Sequence, residues 1–73
     1  VSVRVGQHVR IVSNNPSGVE LEGEVRLRPG HDVDIQMGGD SASFSGRVAL
    51  VTAWRVVKIA GGQITFRGFC QWR

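Results

Sequence analysis

Cysteine, lysine and methionine each occur once in this 73-residue sequence, proline occurs twice, and tyrosine is missing. A single thiol, Cys70, rules out an internal disulfide. Cys70 with His8 and His31 also falls short of the four ligands that a structural zinc site takes, so no metal is expected. No apolar run approaches the ~20 residues that span a bilayer, and no basic, apolar, small-residue leader opens the chain, so neither membrane insertion nor export is expected. A lone thiol fits a reducing, cytoplasmic setting. Acidic residues are absent from residues 41–73, which carry five basic ones, whereas residues 1–40 carry four arginines against six carboxylates. Only the second half has a charge of one sign with which to attract anions.

What is abundant is valine. Twelve valines, four isoleucines and two threonines supply the β-branched side chains that suit a pleated sheet. Val1, Val3, Val5, Val9 and Ile11 share odd parity while Ser2, Arg4, His8 and Arg10 fill even positions, so the pattern predicts an opening strand with one apolar face, bent or bulged at Gly6. Asn14-Asn15-Pro16-Ser17-Gly18 concentrates turn formers, and Val19 and Leu21 alternate with Glu20 and Glu22 after it, predicting a hairpin-like corner. Val25 and Leu27 alternate with Arg26 and Arg28, Pro29-Gly30 turns the chain, and Val33, Ile35 and Met37 predict another half-buried strand before Gly38-Gly39-Asp40 turns it again.

From Phe44 to Ile59 both parities are apolar: Val48, Leu50, Trp54 and Val56 on one, Ala49, Val51, Ala53 and Val57 on the other. That pattern predicts a central strand buried on both faces. A helix is the rival, and the valines and nearby Gly46 favour the strand. Ala60-Gly61-Gly62 then turns the chain into Ile64, Phe66, Cys70 and Trp72, predicting a final antiparallel pair. Five or six strands with glycine-bearing turns and no amphipathic helix are best closed into one small antiparallel barrel over residues 1–73, because closure removes exposed sheet edges. A domain this short buries only ~60% of its unfolded surface, so a protein partner, or the remainder of a longer chain, is expected to help hold it.

Val12 to Leu21, with its Asn14 to Gly18 corner, resembles the signature corner of PilZ domains, bacterial β-barrels many of which bind cyclic di-GMP. Gly18 matches the family's glycine, and Val19 and Leu21 match the strand after it. Leu27-Arg28-Pro29-Gly30 with Val33 and Ile35 looks like the next turn and strand. Gly46 to Trp54 and Phe66-Arg67-Gly68 are similar to the later strands, so the element order covers the whole chain. The likeness implies a bacterial regulatory module without enzymatic activity. Its ligand site would draw on Ser13, Asn14, Asn15, Ser17 and Gly18, with Arg4 and Arg10 as electrostatic clamps.

The sequence departs from the family at telling places. Ser13 stands where the family has Asp or Asn, Asn15 stands where it has Ser, and the Arg-x-x-x-Arg half-site is absent, since His8 follows Arg4 at that spacing. Paired arginines would give charge-assisted contacts of ~1.5–3 kcal/mol each, so losing two costs roughly two to four powers of ten in affinity. Cyclic di-GMP is therefore expected to bind weakly or not at all, with protein contacts carrying the function.

Other chemistries find less support. His31, Asp32, Asp34 and Asp40 read as a solvated face more readily than as a metal or acid–base cluster. Cys70 lies on the apolar parity with Phe66 and Trp72 and reads as core, no glycine loop leads into a helix, and no catalytic residue is expected. The alternative is a small SH3-like or oligonucleotide-binding barrel that holds nucleic acid with arginines and aromatics. In that reading Phe69 stacks a base beside Arg67 and Arg73. Against it, a bulge at Gly68 would reverse the parity and bury Phe69.

Overall fold

A computed structural model describes residues 1–38 and 44–73, and every statement below refers to these. Six strands follow one another: β1 (Ser2–Arg4), β2 (Val9–Asn15), β3 (Gly18–Gly23), β4 (Asp32–Gly38), β5 (Phe44–Ala60) and β6 (Gln63–Trp72). They form one sheet in the order β1-β4-β5-β6-β3-β2. The all-β expectation holds, the helix rival for residues 44–59 is absent, and no helix is long and apolar enough to cross a membrane.

The sheet is curled because its two edges are consecutive in the chain. Only residues 5–8 separate β1 from β2, so the far ends of the strand order must curve toward each other. Val5 stands at the seam: its N–H donates to the Gln36 carbonyl of β4 at 2.9 Å, and it forms a lone parallel bridge with Val9 of β2. Gly6 turns the chain there with φ of 94°, a left-handed conformation that side chains resist. The opening segment is thus two strands at opposite edges rather than one bent strand.

Strand pairing corrects the wholly antiparallel expectation at one place. β1 runs parallel to β4, with Val3 opposite Ile35, whereas β2–β3, β3–β6, β4–β5 and β5–β6 are antiparallel. The result is a mixed, curled half-barrel. Residues 24–31, expected to include a strand through Val25 and Leu27, form a loop that still buries Leu27. Gly39 and Asp40 of the next expected turn lie outside the described residues.

The concave side collects the core. Val3, Val9, Val19, Leu21, Leu27, Val33, Ile35, Ala49, Val51 and Cys70 form one buried cluster. These are mostly short or β-branched side chains, as the narrow interior of a small barrel requires. Trp54 and Trp72 pack against the cluster, and the Trp54 indole N–H donates to the Val25 carbonyl at 3.0 Å, tying the loop to β5.

β5 overturns the expectation of burial on both faces. Opposite β6 it carries two register shifts, between Val51 and Ala53 and between Val56 and Lys58. Each leaves one extra residue, Thr52 and then Val57, which exchanges inward and outward positions. Inward residues are therefore Ala49, Val51, Trp54, Val56 and Ile59, facing Trp72, Cys70, Gly68, Phe66 and Ile64 of β6 in turn. Beyond Trp54 and Phe66 the hairpin outruns the core, and its tip turns through Gly61 and Gly62 with φ of 59° and 79°, the paired positive values of a two-residue type I′ turn.

Candidate functional site

The Asn14–Gly18 corner folds as a self-contained turn. Asn15 Oδ1 accepts from the Ser17 N–H at 3.1 Å, the Ser17 hydroxyl at 2.7 Å and the Gly18 N–H at 3.0 Å, so the side chain of Asn15 closes its own backbone turn. Ser13 lies one step back along β2, its hydroxyl 3.5 Å from Glu20. Gly18 is buried beneath the Phe69 ring, which a Cβ at this position would strike. Asn14 is exposed opposite Val19.

Arg4 and Arg10 are not gathered at this corner. Arg10 precedes Asn15 by five residues on the same strand, about 16 Å at the ~3.3 Å rise of a β-strand. Its guanidinium is committed elsewhere. Arg10 donates through Nε and Nη2 to Glu22 Oε1, and Arg67 donates through Nε at 3.1 Å and Nη2 at 2.7 Å to Glu22 Oε2. The register explains this triad, since Arg10, Glu22 and Arg67 are direct cross-strand partners on the convex face. Hydrogen bonds from Arg67 and then Arg10 hold the Glu22 carboxyl below its ordinary pKa. Arg4 sits in β1 at the other edge of the sheet, where its backbone N–H donates to His8 Nδ1 at 2.9 Å.

The remaining candidates also have partners. Arg73 pairs with Asp32 at 2.9 Å, and no group of three His, Cys, Asp or Glu side chains among the described residues is arranged to hold a metal. Cys70 is fully buried, and loss of hydration raises its thiol to about 11, so it stays protonated at neutral pH. Phe69 keeps the convex face, because the bulges lie in β5 and β6 alternates without interruption; it is half-buried in the row Ser13–Glu20–Phe69–Ala53.

One surface was not legible as such in the sequence. On the hairpin arm Ile59 is 71% exposed, Val56 47%, Val57 42% and Ile64 38%. Ile59 faces Ile64 and Val56 faces Phe66, so these side chains prolong the concave face past the end of the core. At the base of the arm Trp54 and Phe66 stack with ring centroids 6.4 Å apart, and the Arg26 guanidinium lies 5.7 Å from the Phe66 centroid. The signal that pointed here was charge: Arg55 and Lys58 occupy opposite parities, and burial on both faces would have buried both of them.

The arm also has an unpaired edge. β4 covers β5 only as far as Leu50, and the loop extends the cover by one residue, with Val51 donating to the His31 carbonyl and accepting from the Gly30 N–H. From residue 52 to 60, no backbone hydrogen bond among the described residues reaches any strand but β6. Where the cover stops, a cavity of about 120 Å³ opens, lined by Arg26, Leu27, Arg28, His31 and Val51 among others. It is smaller than the ~300–1,000 Å³ of ordinary small-molecule sites, and a cyclic dinucleotide would not fit within it. No family model, curated protein or solved structure matches this chain, so its function is argued from these features alone.

Proposed function

We propose that this chain is a non-enzymatic regulatory binding module of PilZ type, bacterial and cytoplasmic, that acts through protein contacts and binds cyclic di-GMP weakly or not at all. The observation that carries the reading is the arm: Val56, Val57, Ile59 and Ile64 stay exposed on it, continuous with the core of a 73-residue domain. Contiguous apolar surface on so small a domain marks a contact site. The corner supports the second half of the reading. Asn15 spends its carbonyl oxygen on its own turn, and the Arg10 guanidinium is held by Glu22 away from the corner, so neither is poised there for a guanine or a phosphate.

Titration with cyclic di-GMP, followed by amide NMR shifts to high micromolar ligand, tests this. The expected outcome is little or no shift at residues 13–18; saturable shifts there with a low-micromolar Kd would replace the protein-contact reading with a nucleotide-binding one. A second reading, nucleic-acid binding, draws on the convex placement of Phe69 one row from Arg67 and Arg55. It predicts RNA or DNA affinity that falls steeply with salt, together with loss of binding on Phe69→Ala.

A further inference from the structure

We infer that the open edge of β5 takes up an extended acidic segment of a partner protein as an added strand, with one end of that segment at the cavity lined by Arg26, Arg28 and His31. The inference rests on the protein-contact reading above and specifies the partner's chemistry. Three independent features converge on the same edge. Residues 52–60 hold an extended conformation on β6 while their other side, among the described residues, has no backbone partner, which is the template that strand addition uses. The side chains along it alternate in kind, with Val56 and Ile59 on the concave face and Arg55 and Lys58 on the convex one. At the end nearest the core, the edge runs to the cavity that Arg26, Arg28 and His31 line.

Charge selects the occupant. Arg55 stands directly opposite Arg67 across the β5–β6 pair, a like-charge neighbour that costs stability, and Glu22 offsets only the Arg67 side. Residues 41–73 contain no Asp or Glu, so no carboxylate side chain of β5 or β6 compensates Arg55 or Lys58. A segment alternating Asp or Glu with Val, Ile or Leu would place carboxylates beside Arg55 and Lys58 and apolar groups beside Val56 and Ile59. A second copy of the same edge would instead bring two cationic arms together, which argues against self-pairing. Asp32, also at the cavity, is held by Arg73, which leaves the cavity's basic side chains to attract a carboxylate.

The probe is an acetylated, amidated nonapeptide alternating Glu and Val, titrated into the 73-residue chain and followed by amide NMR and hydrogen exchange. Expected are shifts and new exchange protection confined to residues 26–31 and 52–60, with intermolecular backbone contacts to β5. Arg55→Glu combined with Lys58→Glu should weaken the peptide about tenfold. Val57→Pro, at a position outside the β6 ladder, should abolish its binding while the unbound melting temperature changes little. If Val57→Pro does not fold, the charge-reversal pair decides alone. Equal binding of a control nonapeptide with Lys in place of every Glu, absence of shifts at millimolar peptide, or edge protection that appears only as the free chain dimerises in sedimentation equilibrium would each overturn the inference. Shifts confined to Ile59 and Ile64 side chains, unaffected by Val57→Pro, would also overturn strand addition while leaving the protein-contact reading standing. Silence toward the peptide combined with saturable cyclic di-GMP shifts at residues 13–18 would sink both.

Discussion

Two stretches of the same β5–β6 pair behave oppositely. In the row Val19–Cys70–Val51 the side chains lose all contact with water, while in the row Ile64–Ile59, two bulges further on, they keep much of theirs. The residue types and the hydrogen-bonded pairing are alike. What differs is the surrounding sheet: β3 supplies Val19 to the first row and ends at Gly23, opposite Phe66, while β4 covers β5 only as far as Leu50, so the second row lies beyond both. β-branched residues therefore report a strand in both places, and burial in only one.

The closed half is most sensitive at Gly68, where β6 passes under Trp54. A Cβ there would collide with the Ala53 carbonyl oxygen and the Trp54 ring, so Gly68→Ala is expected to cost about 3 kcal/mol or more of stability in urea unfolding, whereas Gly62→Asn at the arm's tip should cost little. Next comes truncation of matched aliphatics. Leu21→Ala, in the closed half, should lose ~2–5 kcal/mol, and Ile59→Ala, on the arm, should stay within ~0.5 kcal/mol. A loss at Ile59 as large as that at Leu21 would mean that the arm is covered in the free protein.

Thiol reactivity separates the two stretches as well. Cys70 should react with an aromatic disulfide at pH 8 about a hundredfold or more slower than a thiol placed by Ile59→Cys in a Cys70→Ala background, because burial both shields Cys70 and raises its pKa to about 11. The smallest effect concerns pH. Glu22 has a lower pKa folded than its ordinary 4.5, so it binds protons more readily when unfolded. Its contribution is therefore present above about 4.5 and fades as pH falls through the lower folded value. Glu22→Gln should flatten the acid limb of a stability-versus-pH curve; an unchanged limb would show that the Arg10–Glu22–Arg67 triad is inert.

Short-range features were readable in the chain itself. The Asn15–Gly18 corner, the Gly61-Gly62 turn and the inward parity of Val19, Leu21, Phe66 and Cys70 depend on residues a few positions apart, and the structure has all of them. The bulges at Thr52 and Val57 were not readable, because an extra residue changes facing without changing composition. Neither was the Arg10–Glu22–Arg67 triad, whose members lie 12 and 45 residues apart in sequence and meet only through the β2–β3–β6 register. The expected clamp of Arg4 and Arg10 on the corner assumed shared parity along one strand; the chain instead sends β1 and β2 to opposite edges.

Local alternation and turn chemistry thus determined that this polypeptide is all β, where the corner at residues 15–18 and the Gly61-Gly62 turn bend, and which residues of β3 and β6 face inward, since these follow from backbone preference and side-chain period. Tertiary structure alone decided which inward-facing residues are buried, that β1 joins β4 in parallel, and that among the described residues the last third of β5 has no strand but β6 beside it. Burial and charge pairing are properties of what lies across a gap, and nothing adjacent in the chain specifies that.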